Sequence, residues 1–383
     1  MTDHAAGFAT AEFATVRSLF DSMLAADSRY SAQLAVYHRG RKVLDLYGGP
    51  DIAADSVTGV FSCSKGVAAL AFSLLVQDGL MDLDAPVTRY WPEFGRHGKD
   101  ALLVRQLLSH QAGLVGLPGG FTREEYADSA AVAARLAAAV PLWRPGAAFG
   151  YHALIMGVFM EELCRRITGR RLQEVYDERI REPFGVDMFL GLPEAQEHRF
   201  RDVLFEEDPA QPFVDPAGIY GMAANTRAGN LLAMPNVRAV RAVGTSSGAG
   251  VGSAVGLARL YAAASTGVDG GAPFLSGETI AAMSQEQVWG IDRVFSQESA
   301  FAVVFMKSHA RMDFGSQQAF GHDGANAALG FADPAYGLGF GYVPQRAEEG
   351  GTPGRAMRLS AAVRQAVLAL GEAPPATSWP PAG

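Results

Sequence analysis

Apolar positions along the chain fall into blocks of helical and strand-like period. Between residues 11 and 27, Phe13, Val16, Leu19, Phe20 and Met23 recur at helical spacing and predict an amphipathic helix. Residues 32–37 and 42–47 read as two strands around a turn containing Gly40, a hairpin. Residues 66–76 (GVAALAFSLLV) are apolar nearly all round, which predicts a helix buried on every side. That run is too short to span a membrane. Further helices are expected over 102–109, 129–140, 153–169 and 253–265. In the third, Glu161/Arg165 and Glu162/Arg166 are spaced as i,i+4 pairs, and Gly169 is placed to cap the C-terminus. Strand-like runs follow at 300–306, 320–321, 328–332 and 338–343, then a last helix over 358–370. This order predicts an α/β (α+β) fold, an antiparallel sheet flanked by helices and split by a largely helical insert. Residues 1–82 and 220–383 are assigned to the sheet unit and 83–219 to the helical unit. The active site is expected at their interface. The Pro-rich end, GEAPPATSWPPAG, reads as a surface tail.

Composition narrows the function classes. The chain has 383 residues, 49% of them hydrophobic and 19% charged, which is ordinary globular usage. A formal net charge of −8 argues against a nucleic-acid partner. Cys63 and Cys164 form no CxxC pair, so neither a zinc site nor a disulfide framework is expected. So few cysteines fit a reducing cytoplasm. The start, MTDHAAGFATAEF, has no basic segment followed by an apolar run, so no signal peptide is read there. The histidines show no metal-ligand spacing such as HExxH. No metal, cofactor or membrane partner is expected.

The stretch VFSCSKG (60–66) concentrates chemistry: Ser62, Cys63, Ser64 and Lys65 are adjacent. If a helix begins here, residues three apart lie about 60° apart around its axis, so Ser62 and Lys65 share a face. Ser64 and Cys63 are rotated away. The helix N-terminus favours developing negative charge and offers unpaired N–H groups. A part-buried lysine has a lowered pKa and can take the serine proton. The S-x-x-K pattern alone is common, and also describes a polar helix start with an exposed lysine. A second nucleophile candidate is Ser246, in Gly244-Thr245-Ser246-Ser247-Gly248, which matches the G-x-S-x-G elbow of α/β-hydrolases with His309 and His322 downstream. Against it, GAGVG separates the serine from the next helix, and no parallel strand–helix alternation is visible. Trp91, Phe94, Phe121, Phe149 and Tyr220 are candidates either for an acyl pocket or for plain core. His110 is expected to fix a loop or cleft wall.

Longer segments add to this motif. They are VFSCSKGVAAL, LLSHQAGL (107–114), WRPGAAFGYHALIMGVFMEELCRRIT (143–168) with GRRLQEVYDERIREPFGV and FLGLP behind it, VGSAVGLARLYAA (251–263) and GHDGANAALGFADPAYGLGFGYV (321–343). In these the chain resembles the family VIII carboxylesterases, serine esterases built on the class C β-lactamase and penicillin-binding fold. The resemblance implies Ser62 as the acylated nucleophile, Lys65 as its general base and Tyr151 as the proton relay. A phenol beside Lys65 is expected to be pushed toward phenolate. His322-Asp323-Gly324 matches the strand triplet that is Lys-Thr-Gly in β-lactamases. The N–H groups of Ser62 and Ala325 are then the oxyanion hole. His152, next to Tyr151, is placed with His322, Asp323 and Gly324 among the substrate-binding residues.

Two departures bear on substrate. His322 replaces the triplet lysine, so an anionic substrate loses a fixed positive charge, and the histidine is expected to donate to substrate or to Tyr151. Ala153 stands where the β-lactamase Tyr-x-Asn has its amide. Both point to hydrolysis of small neutral esters. The alternatives within the fold are a β-lactamase, a D-amino-acid peptidase or amidase, and an acyltransferase. Outside it stand an α/β-hydrolase using Ser246 and a non-catalytic binding module.

Overall fold

The computed structural model describes residues 5–205, 214–225, 231–348 and 354–371. Its strands, in chain order, are β1 (Ala6–Ala9), β2 (Ala32–His38), β3 (Arg41–Gly48), β4 (Thr58–Gly59), β5 (Met188–Phe189), β6 (Val251–Gly252), β7 (Val288–Ile291), β8 (Glu298–Phe301), β9 (Phe320–Asp323), β10 (Leu329–Asp333) and β11 (Leu338–Pro344). Six of them form one sheet in the order β1-β3-β2-β11-β10-β9, every neighbour antiparallel. The hairpin read from the sequence is β2–β3, and the two ends of the chain meet where β2 pairs with β11.

Strand β2 is buried along its whole length because both faces of the sheet are covered. Leu34 and Val36 face the Ala14–Ala26 and Gly354–Ala369 helices, in one core with Phe20, Phe340 and Leu359. Ala35 and Tyr37 belong to the other core, with Leu257 and Tyr261 of the Ala254–Ser265 helix. That second core continues through the Cys63–Gln77 helix into the helices Ser129–Ala138 and Met156–Thr168 of the middle segment. The Cys63–Gln77 helix is therefore enclosed by sheet on one side and helices on the other, with Cys63 through Leu75 all buried. Its nearly uniform apolar sequence follows from that position. Among the described residues no helix is long and apolar enough to cross a membrane.

Some boundaries differ from the periodicity. The run 300–306 is a strand only as far as Phe301. Val304 then takes a left-handed φ of 67°. This turn brings Met306 back to donate its N–H to the Gly321 carbonyl at 2.8 Å. The helix expected from 153 starts at Met156, and Gly169 does cap it in the left-handed conformation. Of its two expected ion pairs, Arg166 reaches Glu162 at 2.5 Å, but Arg165 also pairs with Glu162, at 2.9 Å. Glu161 is turned into the core instead. The Pro-rich end lies outside the described residues from 372 onward.

One close approach sets how the central helix sits on the sheet. A Cβ at Gly66 would lie 2.1 Å from the Tyr261 hydroxyl oxygen. That hydroxyl is buried and has no hydrogen-bond partner among the described residues. Gly66→Ala gains about 1 kcal/mol of helix propensity and loses roughly 1–3 kcal/mol to overpacking. We expect Gly66→Ala to lower the melting temperature and Gly66→Ala/Tyr261→Phe to restore or exceed the wild-type value. A double variant as unstable as the single one would contradict this packing.

Candidate active site

The chain reaches Ser62 through a forced turn. Strand β4 pairs with β6, and Val60 N–H donates to the Gly250 carbonyl at 3.0 Å. Phe61 then adopts φ 47°, a left-handed conformation that costs a non-glycine residue on the order of 1–3 kcal/mol and persists only where packing holds it. The turn places Ser62 at the N-terminal end of the Cys63–Gln77 helix, part-exposed while its neighbours are buried. Cys63 points inward, its Sγ 3.2 Å from the His322 carbonyl, and burial pushes its thiol pKa up. The Ser64 hydroxyl bridges the Phe61 carbonyl and the Gly250 N–H. Neither is presented as a nucleophile.

Lys65 sits one turn on and is fully buried. Its Nζ is 2.9 Å from Ser62 Oγ and 2.8 Å from the Ser247 carbonyl. Burial lowers its pKa to about 7, against the opposing charge of Asp323. Near neutral pH a large share of the amine is uncharged, and the contact to Ser62 can then run from the serine O–H to the nitrogen lone pair. The Ser247 carbonyl is itself held. Ser246 N–H donates to Glu161 Oε1 at 2.9 Å, and Ser247 Oγ accepts the Gly157 N–H at 2.6 Å. Gln173 donates to the same Glu161 oxygen at 2.9 Å.

Tyr151 lies over Lys65, with Nζ 5.0 Å from the ring centroid. Its hydroxyl is 3.5 Å from His322 Nε2. The expected phenolate is not what this surrounding favours. Burial, and after it the charge of Asp323, push the Tyr151 pKa well above the ordinary value, and a hydrogen bond with Ser62 only partly offsets them. His322 is also fully buried. Its Nδ1 is 2.9 Å from the Asp323 carbonyl, so Nδ1 carries the proton and Nε2 faces Tyr151 as an acceptor. Burial lowers its pKa, with the hydrogen bond to Asp323 opposing. The expected donor to Tyr151 is therefore a neutral acceptor.

His152 is not on the substrate side. It is fully buried, its N–H donates to His110 Nδ1 at 2.9 Å, and its own Nδ1 is 2.6 Å from the Gly150 carbonyl. Its ring packs toward Phe159 in the core. His110 takes φ 67° and stands 5.0 Å from the Tyr151 ring, so the two histidines back the tyrosine. Trp91 and Phe94 cluster with Phe159, and Phe121 stacks on Tyr126, all as core. Phe149 is buried as well, whereas Tyr220 is 45% exposed beside the half-exposed Phe295.

The end of β9 closes the site from the other side. A Cβ at Gly324 would lie 2.4 Å from the Val60 carbonyl oxygen, so this loop lies directly on the segment that carries Ser62. Asn326 ties the two together, its Nδ2 donating to the Gly59 and Pro344 carbonyls at 3.1 and 3.2 Å. Ala325 between them is exposed. Among the described residues neither the Ser62 nor the Ala325 N–H has an acceptor. Unpaired backbone N–H donors are the kind of group that stabilises a developing oxyanion. Among the described residues no group of three or more His, Cys, Asp or Glu side chains is placed to hold a metal ion.

The Beta-lactamase family model matches residues 16–364. The chain belongs to the beta-lactamase family. It is similar to EstA from Arthrobacter nitroguajacolicus Rue61a, with 57% identity and a TM-score of 0.94 over 96% of this chain and 100% of that one. A solved family VIII carboxylesterase is 31% identical with a TM-score of 0.87, over 95% of this chain and 100% of that one. The Esterase/beta-lactamase LipL of Mycobacterium tuberculosis is 33% identical, over 89% of this chain and 82% of the relative. The chain is a serine hydrolase with the beta-lactamase fold. This fold corrects the Ser246 reading. Ser246 is fully buried with its Oγ unpartnered among the described residues, and its segment instead presents the Ser247 carbonyl to Lys65.

Glu161, Ser247, Asn326 and Asp292, whose carboxylate accepts the Tyr151 N–H at 2.8 Å, support the Ser62–Lys65–Tyr151 cluster, a role that the sequence reading did not assign to them. For a beta-lactamase-family enzyme built this way, Gly324→Ala must push the Ala325 loop off the Val60 carbonyl. With the Ala325 N–H in the oxyanion role that the resemblance implies, we expect a folded variant whose kcat falls by about tenfold or more, since the loss of one oxyanion donor costs on the order of 100-fold. Wild-type kcat in Gly324→Ala would contradict the placement of this loop.

Proposed function

We propose that the protein hydrolyses small neutral carboxylic esters through an acyl-enzyme on Ser62. The observation that carries this reading is the buried Lys65 amine, 2.9 Å from the Ser62 hydroxyl at the start of a helix. Neutral Lys65 takes the serine proton as Oγ attacks the ester carbonyl carbon. The resulting oxyanion is held by the Ser62 and Ala325 N–H groups. As the tetrahedral adduct collapses, the C–O bond to the alcohol breaks. Tyr151, a neutral phenol, gives its proton to the leaving oxygen and regains one from the Lys65 ammonium. Water then attacks the acyl carbonyl with the same pair as base, and the acid leaves with Ser62 restored.

Three features support neutral esters over anionic β-lactams. The strand triplet offers a neutral, buried His322 rather than a fixed cation. Asp323 beside it, its side chain 22% exposed, adds negative charge next to that ring. Ala153 has no amide to hold an acylamino group. Phe295 and Tyr220, 41% and 45% exposed, leave an aromatic strip leading out from Tyr151, which fits an apolar acyl or alcohol group. The similarity to a family VIII carboxylesterase agrees with esterase activity, and the name of LipL carries both esterase and beta-lactamase. Two free cysteines, both buried, fit work in the cytoplasm.

The test is to react the protein with a short-chain nitrophenyl ester and with a cephalosporin, and to locate any adduct by mass spectrometry. The expected adduct is on Ser62, with ester turnover abolished in Ser62→Ala and retained in folded Ser246→Ala. Unchanged turnover in Ser62→Ala, or a cephalosporin hydrolysed faster than the ester, would overturn the proposal.

A further inference from the structure

The turn between β7 and β8 meets Tyr151 through a buried carboxylate. Asp292 Oδ2 accepts the Tyr151 N–H at 2.8 Å. Its Oδ1 accepts the Val294 and Phe295 N–H groups at 2.7 and 2.9 Å. The same turn is closed by Ser296 N–H to the Asp292 carbonyl at 2.8 Å and by Asp292 N–H to the Gln297 carbonyl at 2.9 Å. Arg293 N–H reaches the Phe149 carbonyl at 3.1 Å, so the hairpin is docked along 149–151 at two points. The result is seen at the rings. Phe295 of the turn lies 5.4 Å from Tyr151, and Phe301 of β8 stacks on it at 5.7 Å and 14°.

A buried carboxylate is costly unless its oxygens are satisfied. Asp292 is fully buried, no cation pairs with it among the described residues, and three backbone N–H groups take that place. Apolar side chains could fill this volume without the desolvation cost, but they could not grip the Tyr151 backbone. We propose that Asp292 is a positioning residue for the hydrolysis: it fixes the backbone of Tyr151, and through it the phenol over Lys65. The inference rests on the role given to Tyr151 above.

Asp333 supplies an internal control. It too is fully buried, and it accepts the Ser316 N–H at 2.7 Å, the Ser316 hydroxyl at 2.6 Å and the Ala335 N–H at 3.2 Å. It lies at the end of β10 away from Asp323. A purely structural role predicts the same phenotype for both residues. In Asp292→Asn the amide oxygen keeps the Val294 and Phe295 bonds, and the NH₂ group then opposes the Tyr151 N–H, donor against donor.

The experiment measures kcat, KM and melting temperature with a short-chain nitrophenyl ester in Asp292→Asn, Asp333→Asn and Tyr151→Phe. We expect Asp292→Asn to lose about tenfold or more in kcat with KM within about twofold, as for a small misplacement of a catalytic group. Asp333→Asn should keep kcat within about twofold whatever its loss in stability. Wild-type kcat in Asp292→Asn, or an equal kcat loss in Asp333→Asn, overturns the inference. If Asp292→Asn does not fold, Asp292→Glu, which keeps the charge on a longer arm, carries the same comparison. An impaired Tyr151→Phe beside an intact Asp292→Asn removes only the role of Asp292. A fully active Tyr151→Phe removes the role of Tyr151 and that of Asp292 with it.

Discussion

Lys65 is an amine enclosed by protein on all sides, and much of the surrounding structure accounts for how it is kept there. Lowering its pKa from 10.5 to about 7 corresponds to roughly 5 kcal/mol of disfavour for the charged form. The folded pKa lies below the unfolded one, so the fold is least burdened above the unfolded pKa and loses that stability progressively as pH falls from 10.5 to about 7. Two oxygens meet the nitrogen, the Ser62 hydroxyl and the Ser247 carbonyl. The first needs the Phe61 turn. The second needs Ser246 and Ser247 drawn against the Met156–Thr168 helix by Glu161 and by the Gly157 N–H. A Cβ at Gly157 would lie 2.5 Å from the Ser247 nitrogen, so only glycine admits this approach.

The same enclosure decides the proton chemistry. Desolvation acts on a base and an acid in opposite senses. It makes the lysine a weaker base, near the working pH, and the phenol of Tyr151 a weaker acid. The phenol is thereby neutral, beside an amine that is largely uncharged above about pH 7, rather than a phenolate beside a fixed ammonium. His322 follows the same rule and stays neutral, its Nδ1 proton directed to the Asp323 carbonyl. Where a β-lactamase would have a lysine in the strand triplet, this chain has an uncharged ring behind Tyr151. In the proposed mechanism, backbone donors, Asp323 and an aromatic strip are what the ester meets.

How much of this could be read in the sequence follows from distance along the chain. The β2–β3 hairpin and the buried central helix were legible because their periodicity is local. Ser62 and Lys65 were legible as a pair because one helical turn fixes their geometry. Tyr151 and Ala325 entered through resemblance in long colinear segments, not through spacing. Contacts that join remote segments left no mark: nothing near Glu161 says that it turns inward to Ser246, and nothing near Asp292 points to Tyr151. The i,i+4 rule misassigned Arg165 because it weighs surface neighbours and not a buried backbone donor in need of an acceptor. The G-x-S-x-G match was real as a pattern, yet its use is to present the Ser247 carbonyl. The phenolate expectation considered Lys65 alone and omitted the burial of the ring.

The central claim is that neutral Lys65 activates Ser62, and the pH dependence of acylation tests it most directly. The pre-steady-state burst with a neutral nitrophenyl ester, followed from about pH 5 to about pH 10, isolates that step. Because the base form accepts the serine proton, the acylation rate should rise with pH through a single ionisation at about 7 and level off above it. In Lys65→Arg, whose side chain stays charged, the burst should vanish. An acylation rate that is flat across pH 7, or a burst that survives in Lys65→Arg, would contradict the account.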